Sequence, residues 1–367
     1  MRKAFLWLHR WLGLAAGLII SFLGLTGSAL VFRHELEAKI EPRLVHVQEQ
    51  SQRVTWQTVY NNVQRAYPDA KINHFFLGRT PTTSHEIWLD GGERYAYVNP
   101  YTGEVLGDRS QAGGVLPWLF QAHTHLVAGE TGEKIAGWSG LTLVALSISG
   151  LLLWLPRRPW KAAGWRNAFK LHWKKSWKVR NYELHRVGGA LIACFLLLSS
   201  ITGVAMVWPE VTESIVSTFA GKTTRPKPKA TQSARTLPLD VLVAKANAAF
   251  PDAELRRISF PAKPGAPLVI RKKRASDLHP NGMNYIYLDA TTGQVLAIDD
   301  ASKASLGTRI MNARYPIHIG LWGGTTTRVL AVFVGLSPLL LFVSGFIIWN
   351  GKRNRDERIA KSRLSGK

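Results

Sequence analysis

Four histidines occur at matching positions in two halves of the chain. His9 begins the apolar stretch "HRWLGLAAGLIISFLGLTGSALVF", and His185 begins the similar stretch "HRVGGALIACFLLLSSITGVAMVW" 176 residues later. His123 and His318 each come shortly before another apolar stretch and are 195 residues apart. Imidazole is the commonest metal-binding side chain, and two imidazoles can bind one ion between them. The spacing therefore predicts two pairs, His9 with His185 and His123 with His318.

Electron transfer by haem is the chemistry that fits paired imidazoles between apolar helices. Two axial imidazoles make a haem that moves single electrons, and four-helix bundles commonly hold cofactors between facing side chains. Cys194 is the single cysteine and no C-x-x-C-H motif occurs, so a haem would be bound non-covalently, as haem b. His125, two residues after His123, is the alternative ligand. A histidine at a membrane boundary can also be purely structural.

Four apolar stretches could position these histidines. They cover residues 11–32, 136–155, 187–208 and 328–349, and about 20 helical residues cross a hydrocarbon core of about 30 Å. The loop at 156–184 has nine Lys or Arg residues against one acid. Short basic loops stay in the cytoplasm, so both termini are predicted to be cytoplasmic and the two long segments between spans to face outward.

The net charge of +23 suggests nucleic acid only if the protein is soluble. Here the basic residues flank the apolar stretches, where they set the orientation of the spans. We therefore expect membrane lipid as a partner and exclude nucleic acid.

The two outward segments also match each other. "AYPDA" corresponds to "AFPDA", and "YAYVNPYTGEVLGD" corresponds to "YIYLDATTGQVLAI". Each segment combines an amphipathic stretch, at 56–67 or 239–250, with alternating runs that suit antiparallel strands, and the glycines of "PYTGEV" and "ATTGQV" suit tight turns. Each half thus consists of a span, an outward domain and a span. Because both copies enter from the same side, they are parallel repeats.

The combination of "LHRWLGL…LTG", "LHRVGGA…ITG" and "YPDA…NPYTGEVLG" resembles the PepSY-associated transmembrane family over almost the whole chain. The resemblance implies a membrane α+β fold with four transmembrane helices in two parallel repeats and two periplasmic PepSY-like α+β domains. Members include bacterial inner-membrane reductases of ferric siderophores that carry two haems b. The family's histidines fall on His9, His185, His123 and His318. The implied partners are a ferric siderophore and an unidentified cytoplasmic or quinol electron donor.

The boundaries predicted for this organisation follow the spans. They are transmembrane helix 1 at 1–35, periplasmic domain 1 at 36–122, transmembrane helix 2 at 123–156, a basic cytoplasmic loop at 157–184, transmembrane helix 3 at 185–209, periplasmic domain 2 at 210–317, transmembrane helix 4 at 318–350 and a cytoplasmic tail at 351–367.

Two other classes of function stay open. A haem-free siderophore or iron permease would use polar residues within the spans, such as Ser149 and Ser344. A sensor or protease regulator would act through the PepSY-like domains. Arg256, Arg257 and "RKKR" at 271–274 could attract an anionic chelate, or form a solvated or lipid-contacting surface. Nucleotide hydrolysis and zinc proteolysis lack their usual motifs.

Overall fold

The structure is a computed structural model that describes residues 2–111, 113–158, 160–232 and 235–364, with side chains described as far as residue 355. The α-helices of this part of the chain are α1 (Arg2–Leu30), α2 (Arg33–Ile40), α3 (Pro42–Val45), α4 (Trp56–Ala66), α5 (Val115–His125), α6 (Gly129–Trp154), α7 (Ala162–Phe169), α8 (Trp177–Val207), α9 (Pro209–Ala220), α10 (Leu239–Ala249), α11 (Leu306–His318) and α12 (Gly324–Leu364). The strands are β1 (Ile72–Phe76), β2 (His85–Leu89), β3 (Arg94–Val98), β4 (Val105–Ser110), β5 (Glu254–Ser259), β6 (Leu268–Lys273), β7 (Asn284–Leu288) and β8 (Val295–Asp299).

The chain divides into two compact units. The helical unit comprises the residues up to Val31, Leu119–Pro209 and the residues from Ile317 onward, and the sheet unit comprises Phe32–Trp118 and Glu210–Pro316. Four helical segments are long and apolar enough to cross a membrane. They are Arg2–Leu30, Gly129–Trp154, Trp177–Val207 and Leu321–Arg355.

The helical unit is a four-helix bundle. Helix α1 packs against α6 and α12, and α8 packs against the same two helices, so α1 and α8 lie diagonally across the bundle. Gly24 and Gly335 let α1 and α12 approach closely, because a Cβ at Gly24 would overlap the carbonyl oxygen of Gly335. Ser28 Oγ donates to the carbonyl of Val332 at 3.0 Å across the same contact. Small residues commonly permit such contacts between membrane helices.

The sheet unit contains one antiparallel sheet with the strand order β4-β3-β2-β1-β5-β6-β7-β8. The sequence predicts two separate outward domains, whereas β1 pairs with β5 and joins their four-stranded halves into one sheet. An unpaired β1 or β5 would be an exposed edge with free backbone donors and acceptors, and their pairing removes both edges.

The core of the sheet unit lies between one face of the sheet and helices α4 and α10. Phe75, Ile258, Ile270 and Ile286 are fully buried in it. The two helices also cap each other. The carboxylate of Asp240 accepts from the backbone N–H of Trp56 and Gln57 at 2.8 and 3.0 Å, and Gln57 Oε1 accepts from Leu239 N at 2.9 Å. A carboxylate at a helix N-terminus accepts hydrogen bonds from free N–H groups and interacts favourably with the positive end of the helix dipole.

Two tight turns connect β3 to β4 and β7 to β8. Gly103 and Gly293 each have a φ of 72°, which confirms the sequence-based expectation for "PYTG" and "ATTG". In each turn a side-chain oxygen accepts a hydrogen bond from the backbone N–H two residues later. Asn99 Oδ1 accepts from Tyr101 N at 2.9 Å, and Asp289 Oδ1 accepts from Thr291 N at 2.8 Å. The turn residues therefore determine both strand connections locally.

Candidate functional site

The helical unit brings the four matched histidines together in two pairs. The rings of His9 on α1 and His185 on α8 have centroids 6.3 Å apart, with planes at 85°. The rings of His123 on α5 and His318 on α11 have centroids 6.2 Å apart, with planes at 43°. Because α1 and α8 are diagonal, the first pair meets across the bundle.

A serine holds each ring of the first pair. His9 Nδ1 lies 3.0 Å from Ser149 Oγ, and His185 Nδ1 lies 2.8 Å from Ser344 Oγ. Each serine hydroxyl also donates to the carbonyl one helical turn earlier, at 2.7 Å. Since that hydroxyl proton is already engaged, the hydroxyl oxygen accepts from Nδ1–H. This network assigns the tautomer in which Nε2 keeps its lone pair.

Backbone carbonyls assign the same tautomer to the second pair. His123 Nδ1 is 2.9 Å from the carbonyl oxygen of Leu23, and His318 Nδ1 is 3.0 Å from that of Ser199. A carbonyl can only accept, so Nδ1 carries the proton in both rings. Thr26 and Thr202 hydroxyls lie 3.3 and 3.1 Å from the same nitrogens.

A glycine leaves space beside each of the four rings. A Cβ placed on Gly150 would lie 3.2 Å from the ring of His9, and one on Gly345 would lie 3.2 Å from the ring of His185. A Cβ on Gly27 would lie 2.7 Å from the ring of His123, and one on Gly203 would lie 3.1 Å from the ring of His318. Any side chain at these positions would push the ring aside or be pushed aside by it. Each histidine thus has a hydrogen-bond acceptor for Nδ1 and a glycine next to Cε1.

These residues fit haem iron. A metal–imidazole bond is about 2 Å long, so two imidazoles on opposite sides of one ion have ring centroids about 6 Å apart. Both histidine pairs have that separation. A hydrogen bond from Nδ1–H to a protein acceptor is the usual support of a metal-binding histidine, because it fixes the tautomer and orients the ring. The arrangement can therefore hold two ions, each between two imidazoles.

His125, the alternative ligand, is engaged elsewhere. Its Nδ1 lies 2.6 Å from Thr124 Oγ1, and its Nε2 lies 4.0 Å from a carboxylate oxygen of Glu133. It is His123 that lies beside His318. Across residues 2–111, 113–158, 160–232 and 235–364, no cluster of three or more His, Cys, Asp or Glu residues is suited to a metal ion.

The serine partners of the histidines are not identified by the sequence. There Ser149 and Ser344 stand only as polar residues that a permease could use, and the structure places their hydroxyls against His9 and His185. The sequence does contain a signal, because each serine directly precedes a glycine of the matched pair Gly150 and Gly345.

A comparison with known protein families shows to which family the chain belongs. The family model described as the PepSY-associated TM region matches residues 6–352. The chain belongs to this family. The match confirms the resemblance found in the sequence and covers both histidine pairs. Together with the four apolar helices, it identifies this member of the PepSY-associated TM family as a multi-pass membrane protein. No curated protein matches the chain.

Proposed function

We propose that this protein is a bacterial inner-membrane electron-transfer protein that holds two haems b and reduces Fe(III) in siderophore complexes on the periplasmic side. One observation carries the proposal. Two pairs of imidazoles stand at the separation that suits a shared ion, and every Nδ1 is engaged with a protein oxygen. In this assignment His9 and His185 bind the inner haem, and His123 and His318 bind the outer one.

The histidines and their partners have defined roles in this proposal. A bound haem supplies one-electron redox chemistry. Each imidazole contributes the lone pair of Nε2, and its Nδ1–H bond raises the basicity of the ring and holds its orientation. Gly150, Gly345, Gly27 and Gly203 keep the space beside the rings free.

The proposed topology follows from the distribution of charge. The basic loop at 157–184 and both termini lie in the cytoplasm, since short basic segments stay on that side. The two halves are parallel repeats, and the sheet unit comprises two PepSY-like domains in the periplasm. A cytoplasmic protein or a quinol supplies electrons, and membrane lipid surrounds the four spans.

Reduction would release iron because Fe(II) binds the oxygen ligands of a siderophore less tightly than Fe(III) does. Siderophore oxygens bind the small, highly charged Fe(III) ion tightly, whereas Fe(II) has less charge and is softer. An electron delivered to the chelate therefore lowers its affinity for the metal, and the chelator is set free without being degraded.

The decisive experiment combines a spectrum with a trap for Fe(II). Protein purified after expression with ample haem supply should show the sharp reduced bands of haem with two imidazole ligands. Anaerobic addition of a ferric siderophore should oxidise the reduced protein, and a ferrous chelator should collect the iron released. A colourless protein would reject the proposal and leave the permease and sensor alternatives, and a coloured protein that no ferric siderophore oxidises would reject the substrate.

Ser149 offers a more specific prediction. Ser149→Ala removes an acceptor of His9 Nδ1–H, so the ring becomes a weaker donor and the midpoint potential of one haem should rise by on the order of tens of millivolts. Haem should be retained, because the ligand itself is intact. Ser147→Ala is the matched control on the same helix, since Ser147 Oγ is buried and contacts no hydrogen-bond partner among the described residues. A redox titration that gives equal shifts for the two variants would contradict the role of Ser149.

A further inference from the structure

The second half of the sheet carries two arginines opposite each other on the face away from the core. Arg257 on β5 pairs with Arg271 on β6, which pairs with Tyr285 on β7. The neighbouring residues Ile258 and Ile270 are fully buried in the core, so Arg257 and Arg271 point to the other face. Like charges directly opposite on adjacent strands destabilise a sheet, so another interaction is needed to offset the repulsion between the two arginines.

A third arginine, Arg225, stacks on the same tyrosine as Arg271, whereas Arg257 stacks on Phe76 with its Cζ atom 5.4 Å from the ring centroid. The Cζ atoms of Arg225 and Arg271 lie 4.8 and 5.2 Å from the centroid of the Tyr285 ring. Arg225 Nη2 donates to Asn312 Oδ1 at 2.7 Å, which anchors the otherwise exposed side chain. Stacking on an aromatic ring holds a guanidinium while leaving its edge free to donate.

His279 is surrounded by this positive charge. Its ring accepts from Arg271 Nη2, with Nδ1 3.0 Å away. Burial lowers the pKa of His279 to about 3, helped by the charges of Arg271, Arg257, Arg79 and Arg225. The imidazole is therefore neutral at neutral pH, and four guanidinium groups act on one site.

Within the described residues, the carboxylates that act on these arginines include Asp299, which lies 4.0 Å from Arg225, and Asp277, which acts on Arg271. Four guanidinium groups act on His279, those of Arg79, Arg225, Arg257 and Arg271. Arg257 Nε is buried and has no hydrogen-bond partner among the described residues. A buried donor without an acceptor costs free energy that a bound anion would recover.

We propose that the arginine cluster, defined as Arg225, Arg257, Arg271 and His279, binds an iron(III) chelate of net negative charge through its peripheral oxygen atoms. Arg225 and Arg257 donate to these oxygens, because a guanidinium fork matches a carboxylate or a similar pair of oxygens. Arg271 is held by its hydrogen bonds to the carbonyl of Gly282 and to the ring of His279. The identity of the ligand as a ferric chelate rests on the proposed function.

Gallium(III) citrate is the probe that tests this site, since Ga(III) is not reduced and binding is measured separately from electron transfer. The full chain is placed in nanodiscs of phosphatidylcholine, so that no anionic headgroup competes, and binding is followed by isothermal titration calorimetry. Arg225→Gln and Arg257→Gln should each weaken binding about tenfold, as expected for the loss of a charge-assisted hydrogen bond. Arg225 is 42% exposed, so its replacement leaves the core of the sheet unit intact.

Arg94→Gln is the charge-matched control in the first half of the sheet, where Arg94 Nε lies 3.6 Å from Asp108. It should leave the affinity for gallium citrate unchanged. A gallium complex of a neutral hydroxamate should not compete with gallium citrate, because it offers the arginines no negative charge. Phosphate at the same concentration should not displace gallium citrate. Equal weakening by Arg94→Gln, displacement by phosphate, or no binding by the wild type would each overturn the proposal.

The two proposals fail in distinguishable ways. If gallium citrate binds through the cluster but the protein holds no haem, the anion site stands and the reductase is rejected. If the protein reduces a neutral siderophore but does not bind gallium citrate, the reductase stands and the anion site is rejected.

Discussion

Replacing His185 with alanine is expected to remove one of the two proposed haems and leave the other in place. His185 and His9 face each other with their ring centroids 6.3 Å apart, so either substitution removes one of the two imidazoles that would hold the same ion. His318→Ala should remove the other haem, because His318 faces His123 at 6.2 Å. The haem extracted per chain and the area of the reduced bands should each fall by half.

Pairs of substitutions test which histidines share an ion. The double variant of His9 and His185 should lose no more haem than either single variant, whereas the double variant of His9 and His318 should lose both haems. His125→Ala is the matched control, since His125 contacts Thr124 and Glu133 and should keep the full haem content. Loss of both haems from the His9 and His185 double variant would contradict the pairing.

Lowering the pH from 7 to 5 is expected to destabilise the sheet unit through His85. This residue is 2% exposed, its Nδ1 accepts from Gly78 N at 3.1 Å, and its ring stacks on Trp56. Burial, aided by the charge of Arg53, lowers its pKa to about 3 from an ordinary value of 6.5. The folded state therefore binds fewer protons than the unfolded state between these values. The free energy of unfolding is retained above pH 6.5 and falls by about 2 kcal/mol at pH 5.

The His85→Asn variant isolates this effect. Asparagine can accept a hydrogen bond from Gly78 N but does not ionise, so the variant should be less stable than the wild type at pH 7 and lose less stability on acidification. Hydrogen exchange of the β2 and β3 amides in the full chain, corrected for intrinsic rates, gives the free energy of opening at each pH. The pKa of His74 is also lowered, mainly by burial, but His74 is present in both proteins and its contribution cancels in the comparison. Equal pH dependence of the wild type and the variant would contradict the prediction.

The four spans and the two glycine turns could be predicted from the sequence because their determinants are local. A run of about 20 apolar residues is enough to make a membrane helix. The four helices of that kind cover the predicted stretches to within two residues at their ends. The turns at Gly103 and Gly293 follow from the backbone conformation that glycine accepts most easily.

Which residues lie beside the histidine rings could not be predicted from the sequence in the same way. His123 and His125 lie on one helix two residues apart, and only the packing of that helix determines which of them lies beside His318. Likewise, Ser149 and Ser344 are ordinary polar residues in the sequence. They become partners of His9 and His185 because α6 and α12 pack beside the helices that carry the histidines.

By itself the sequence determined the family, the four spans, the matched histidines and the two strand-rich segments. The tertiary structure alone decided that β1 pairs with β5 and that Arg257 and Arg271 stand opposite each other. The reason is physical. A span or a turn depends on residues that are close in the chain, whereas strand edges offer the same backbone groups in every sequence, so the partner and the register depend on which distant surfaces pack together.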